Sequence, residues 1–204
     1  MSPDLSLMKL NAAVQIISTA RRTSSAVRTP VRCAERTLDE FDATPLVGLR
    51  TLVKDAAIER ADENGEITID LPKLRELLAA AAVTRCLMPI RLRGAEMKAM
   101  RKAMKMTLSD LAKKLDDRTA PETVSRWESE AQPMGGYVEK LLRLLVCESL
   151  KEEAPGIEYN ASLIANLRVI DPWRADPNYV VPPVVLVLVK IKQQSGPVIE
   201  AWAA

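Results

Sequence analysis

The 204-residue chain contains no histidine and only three cysteines. The first absence removes the commonest general base near neutral pH and the commonest zinc ligand. Cys33, Cys86 and Cys147 lie far apart and form no C-x-x-C pair, a spacing that fits neither a local metal knuckle nor a disulfide framework. Reduced thiols and no cofactor are expected. Aromatic residues make up only 3% of the chain, so any core must be built from Leu, Val, Ala, Ile and Met, which favours helices over an all-β sandwich. No run of about eighteen apolar residues exists, and the longest candidate, Val180 to Val189, is interrupted by Pro182 and Pro183. Asp4 precedes the first apolar run and the arginines follow it, the reverse of a secretory signal. A cytoplasmic protein with no membrane partner is expected. There is no Gly-rich phosphate loop, and the paired carboxylates Asp116-Asp117 have the look of turn chemistry, so an enzyme is not expected.

What the chain does hold is an uneven charge. Its net charge is only +2. Between Arg91 and Arg126, however, ten Lys or Arg stand against five acids. A basic module in an otherwise slightly acidic chain is the electrostatic footprint of a nucleic-acid binder. A solvated basic face would give the same count.

Four segments follow from composition and periodicity. Residues 1–44 combine an amphipathic start (Leu5, Met8, Ala12, Ile16) with a Ser/Thr/Arg-rich stretch from Thr19 to Thr29, and read as a weakly ordered tail with one helix. Residues 45–88 form a small module. Asn64-Gly65 signals a turn, Ile67 to Leu71 alternates as a strand ended by Pro72, and Leu74, Leu77, Leu78 and Ala81 mark a short helix. Leu49 to Arg60 fits a strand face and a helix face equally well.

Residues 89–150 hold four helical stretches. The first runs from Gly94 to Met104. The second is capped by Thr107-x-x-Asp110 and buries Leu108, Leu111, Ala112 and Leu115. After a polar turn at Asp116-Asp117-Arg118, a third opens with a Thr119-x-x-Glu122 capping box and Pro121 in its first turn, and turns Val124 and Trp127 inward. The fourth puts Val138, Leu141, Leu142 and Leu145 on one side. Residues 155–204 are punctuated by prolines, with a short helix from Ser162 to Ile170. A β-hairpin follows, made of Val184 to Lys192, a loop at Gln193 to Pro197, and Val198 to Trp202. A lone hairpin is marginal, so this one is expected to pack on the protein or to pair with a second subunit.

Two short helices joined by a polar turn match a helix-turn-helix. The residues Leu92-Arg93-Gly94-Ala95-Glu96, Pro121-Glu122-Thr123-Val124-Ser125-Arg126-Trp127-Glu128, Gln132-Pro133-Met134-Gly135 and Leu141 to Leu145 carry a more specific likeness. Over this stretch the chain resembles the MqsA-like (YgiT-type) antitoxin branch of the Xre-family helix-turn-helix regulators. The likeness extends upstream through Gly48-Leu49 and Ile69 to Pro72. The zinc-binding cysteines of that branch are absent here, so no metal is expected in the 45–88 module, and the turn from Leu115 to Pro121 is longer than the family's.

The resemblance implies a mainly α fold: an Xre/lambda-repressor-like helix-turn-helix bundle, with small β elements in the flanking N- and C-terminal segments. It implies that Pro121 to Glu128 is the recognition helix, with Arg126 and Glu122 at base-contacting positions. Arginine suits such a position because its fork donates twice to guanine O6 and N7, and a carboxylate accepts from a cytosine amino group. Thr123 and Ser125 are placed to donate to phosphates, and Lys102, Lys105, Lys113, Lys114 and Arg118 are candidate phosphate neutralisers. Trp127 is read as core, and Glu128 as a buried salt bridge or cap.

The expected function is sequence-specific binding of double-stranded DNA by a homodimer on a pseudo-palindromic operator. Such a protein would act as a repressor, one that controls its own operon. The helix from Tyr137 to Leu150 and the Val184–Trp202 hairpin both offer apolar surface for dimerisation. The alternative is an antitoxin or anti-activator that neutralises a toxin or other protein partner.

Overall fold

A computed structural model describes residues 35–61, 65–192 and 197–204. The amphipathic start, the Ser/Thr/Arg-rich stretch, Cys33, Asn64 of the Asn-Gly turn and residues 193–196 of the expected hairpin loop lie outside the described residues. In chain order the elements are β1 (Glu35–Asp42), α1 (Thr44–Val47), β2 (Thr51–Ala61), β3 (Ile67–Asp70) and α2 (Leu74–Leu87). Next come α3 (Gly94–Ala103), α4 (Leu108–Leu115), α5 (Pro121–Glu128), α6 (Gly136–Leu150), α7 (Ala161–Ala165), β4 (Val184–Lys192) and β5 (Val198–Ala203).

The β component is larger than the small flanking elements expected. β1, β2, β4 and β5 follow one another in a single sheet, and β3 also pairs with β2. Residues on both sides of the helical region therefore share one sheet. They join at the parallel pair β2–β4, where Thr51 faces Val184 and Val53 faces Leu186. The chain between these strands contains all of α2 to α7. Arg50 locks the junction from both directions: its carbonyl accepts from Val184 N at 2.8 Å, and its guanidinium donates to the Val181 carbonyl at 2.9 Å.

β1 begins inside the region read as tail. Its sequence, ERTLDEFD, lacks alternating apolar positions, and the strand is held by antiparallel backbone pairing with β2. A bulge at the level of Leu38 and Glu40 interrupts that pairing, opposite Asp55 with its φ of 53°. The same pairing decides the segment from Leu49 to Arg60 in favour of a strand.

α2 is longer than the short helix expected and is buried on most of its circumference. Leu77, Ala79, Ala80, Ala81, Ala82, Val83 and Cys86 are all buried. The block of four alanines lets backbones approach closely, and α2 packs against β4 and β5 as well as α3 and α6. β4 and β5 form an antiparallel hairpin, and Trp202 of β5 is buried with its indole N–H donating to the Lys73 carbonyl.

α6 also turns a different face inward. Its buried residues are Glu139, Leu142, Arg143, Val146, Cys147 and Leu150, whereas Val138, Leu141 and Leu145 are only partly buried. The shift brings a buried ion pair into the core, Arg143 to Glu139 at 2.7 Å. Arg143 also donates to the carbonyls of Cys86, Met88 and Ile90, and Glu139 accepts from Leu92 N. These bonds satisfy the pair where water cannot. Burial, followed by the hydrogen-bonding thiol of Cys147, pushes the Cys86 thiol well above its ordinary range. Among the described residues no helix is long and apolar enough to cross a membrane.

Candidate nucleic-acid interface

Three helices, α3, α4 and α5, form the unit that carries the basic residues. α4 starts at a complete capping box. Asp110 N donates to Thr107 Oγ1 at 3.1 Å, and Thr107 N and Oγ1 both donate to Asp110 Oδ2, at 2.9 and 2.6 Å. The hydroxyl and then the amide of Thr107 hold the Asp110 carboxyl below its ordinary range. Leu111, Ala112 and Leu115 face the core.

The turn that follows is built by Asp116, whose side chain accepts from Arg118 N and whose carbonyl accepts from Thr119 N. α5 then begins at Pro121 with Ala120 as N-cap, so the expected Thr119 cap does not form. Proline at the first position has no N–H to satisfy, which lessens the need for a side-chain cap. Val124 and Trp127 are buried, with Trp127 only 8% exposed.

A bidentate ion pair fixes α5 against α3. Arg101 Nε and Nη2 reach Glu128 Oε1 and Oε2 at 2.6 and 3.0 Å, and Arg101 Nη1 donates to the Met106 carbonyl at 2.9 Å. One guanidinium thus ties together α3, the α3–α4 turn and α5. Gly94 marks a second close approach: a Cβ there would lie 2.3 Å from the Glu128 carbonyl oxygen. Glu130 completes the brace by accepting from Gly94 N and from Arg93, whose guanidinium stacks 4.8 Å from the centroid of the Trp173 ring.

These pairs change the charge count. Of the ten cations between Arg91 and Arg126, Arg91 pairs with Asp171, Arg93 with Glu130 and Arg101 with Glu128. All three partners lie outside that stretch. Seven cations remain, and the structure sorts them. Glu122, Ser125 and Arg126 are exposed and share the outer face of α5, and Thr123 beside them is partly buried. Lys113, Lys114 and Arg118 are exposed on α4 and the turn that lead into this face. None of Lys113, Lys114, Arg118 and Arg126 makes an ion pair among the described residues.

Lys102 and Lys105 stand apart from that group. Lys102 lines a groove with Ala95, Lys98 and Ala99 of α3 and Pro45 and Leu46 of α1, about 100° around α3 from Arg101. Lys105 lies near Glu153 and adds to the effect by which, chiefly, a hydrogen bond from Arg75 lowers the Glu153 carboxyl. Nothing local in the sequence marks Arg101 as an internal brace, because its partner Glu128 is remote in the chain. Ser129, outside the sequence-predicted set, continues the outer face, and its hydroxyl donates to the Arg126 carbonyl at 3.3 Å.

Residues 97–148, from α3 almost to the end of α6, match the family model described as helix-turn-helix. The match supports a DNA-binding regulator of the Xre type. Neither the curated proteins nor the solved structures gave a match.

Proposed function

We propose that this chain is a sequence-specific transcriptional regulator that binds double-stranded DNA through the outer face of α5. The observation that carries the reading is the set of exposed, ion-pair-free side chains around Arg126, held on a helix whose inner face is pinned by Arg101, Glu128 and Trp127. A rigid helix with an unengaged arginine fork is what base readout in a major groove requires. Arg126 and Glu122 then face base edges. Thr123, Ser125, Lys113, Lys114 and Arg118 supply phosphate contacts. Lys102 and Lys105, pointing elsewhere, are left with at most a long-range electrostatic contribution. The reading assigns the chain no catalytic role.

One such helix reads only a few base pairs, so we infer a homodimer on a pseudo-palindrome that acts as a repressor, including of its own operon. α6 contributes little free apolar surface to that dimer, since its inner face is buried and only Tyr137 stands out. The sheet retains exposed Ile67, Val185 and Val198. These same residues favour the second reading, in which the protein also captures a toxin or other partner in the manner of the MqsA-like branch.

In vitro selection of bound DNA with the purified chain, followed by footprinting upstream of its own gene, tests the proposal. The expected product is an inverted repeat with half-site centres about one helical turn apart, roughly 10 base pairs. Selection that enriches no sequence would refute it.

A further inference from the structure

A cavity of about 350 Å³ opens where the C-terminal segment meets the helix-turn-helix. It lies between the start of α3, the end of α5 and the turn Pro172–Arg174. Its size is within the range of small-molecule sites. Leu92, Met97, Trp127 and Met134 give it an apolar floor, each of them 8% exposed or less. Trp173 lines it as well, and its indole is fixed in place. The indole N–H donates to the Tyr179 carbonyl at 2.9 Å, the Tyr179 ring meets it edge-on, and the Arg93 guanidinium lies over it.

Three guanidiniums and two carboxylates surround this cavity: Arg91, Arg93 and Arg174 against Glu130 and Asp171. Glu130 is taken by Arg93 and Gly94 N, and Asp171 Oδ2 by Arg91 at 2.9 Å. The other arm of Arg91 donates to the Met134 carbonyl. Arg174 is left over. Its Nε lies 3.6 Å from the Asp171 oxygen that Arg91 already holds, and its two terminal nitrogens have no partner among the described residues. The side-chain amide of Gln132, also on the cavity, has none among them either. An unengaged guanidinium fork, an amide and one excess positive charge thus border a floor that offers water few partners.

We propose that this cavity binds a small organic monocarboxylate, with its hydrocarbon body on the apolar floor and its carboxylate on Arg174. A guanidinium fork matches a carboxylate in bidentate geometry, and Gln132 supplies a further N–H donor. The single excess charge matches a monoanion, and the floor favours an acid with a hydrocarbon body over a bare anion. None of the side chains assigned to DNA lines the cavity, so the proposal stands whether or not the chain binds DNA.

The test titrates the full chain, isotope-labelled at its indole nitrogens, with phenylbutyrate, cyclohexanecarboxylate and octanoate. The primary amides of these acids, and acetate, serve as controls. At least one of the three acids should bind one-to-one and shift the Trp127 and Trp173 indole signals, leaving that of Trp202, which does not line the cavity. Its amide should bind about tenfold more weakly, and acetate not measurably. Arg174→Gln should keep the native melting temperature, because the side chain is 82% exposed. It should weaken the acid about tenfold and leave the amide unchanged. Gln132→Ala should weaken the acid less. The proposal is overturned if none of the three acids shifts either signal up to its solubility limit, or if amide or acetate binds as tightly as the acid. Full affinity in folded Arg174→Gln would overturn it equally.

Discussion

Arg85 and Arg143, on α2 and α6, both donate to the carbonyl oxygen of Ile90, at 2.9 and 2.6 Å. Each is buried and each has its own carboxylate, Glu96 for Arg85 and Glu139 for Arg143. The chain entering the helix-turn-helix is therefore gripped from two sides. Arg85 reaches the carbonyl of Arg91 as well, and Arg143 those of Cys86 and Met88. The grip sets where α3 begins relative to α2 and α6.

Loss of Arg143 should accordingly be severe. Arg143→Met would leave Glu139 buried and unpaired, together with the Cys86 and Met88 carbonyls. We expect a loss of about 3–5 kcal/mol in urea unfolding. Adding Glu139→Leu should recover part of it, because the isolated buried charge is then gone. A single variant with an unchanged unfolding midpoint would show that the network contributes nothing.

Recognition and folding should separate within α5. Arg126→Ala is expected to keep the native melting temperature and to weaken specific DNA binding by about 1–3 kcal/mol per half-site, relaxing preference at one base pair. Lys114→Ala should weaken all sequences alike and reduce the salt slope by about one per subunit. Titrations on selected and scrambled DNA at two salt concentrations distinguish the two. If Arg126→Ala binds the selected site with full affinity and selectivity, α5 is not the reading helix.

Behind that face, Trp127→Ala should cost roughly 3–5 kcal/mol through the cavity it leaves, and binding should fail only as the fold does. Gly94→Ala should also destabilise, since the new methyl meets the Glu128 backbone and no flexible side-chain end. Thermal melts of both variants check this. A wild-type melt for Gly94→Ala would mean that the α3–α5 approach is looser than its geometry implies.

The response to pH should be flat and then steep. With no histidine, few groups titrate between about pH 5.5 and 8. Hydrogen bonds from Thr107 to Asp110, from Thr44 to Asp42 and from Arg75 to Glu153 hold these carboxyls below their ordinary range. A carboxyl with a depressed folded pKa stabilises the fold above its unfolded pKa and ceases to do so as pH falls through the folded one. Melting temperature should therefore fall below about pH 4. On the alkaline side, the Tyr159 hydroxyl donates to Glu148 at 2.5 Å and is pushed up to about 12. The stability it adds is complete below its ordinary pKa of about 10 and is lost as pH rises toward the folded value. Melting curves across this range, with Tyr159→Phe as control, test both limbs. A broad transition centred near neutral pH would contradict the assignment.

The helix-turn-helix was legible in the sequence because its signals are local. A capping box at Thr107, a 3.6-residue apolar stripe through Leu111 and Leu115, and Pro121 at the head of α5 each act within one or two turns of chain. The tryptophan in α5 could be placed inward on the same grounds. The sheet was not legible to the same degree. β1 is stabilised by backbone pairing that its own side chains do not announce, and the β2–β4 pair joins residues more than a hundred positions apart. Charge was misleading for a related reason. Arg101 and Arg126 look alike in the sequence, yet one is paired with Glu128 and the other makes no ion pair among the described residues. Glu139 and Arg143 look like surface residues, yet both are buried. Whether a charged side chain faces water or a partner depends on what the rest of the chain brings against it, and so the tertiary structure decided which cations can reach a ligand.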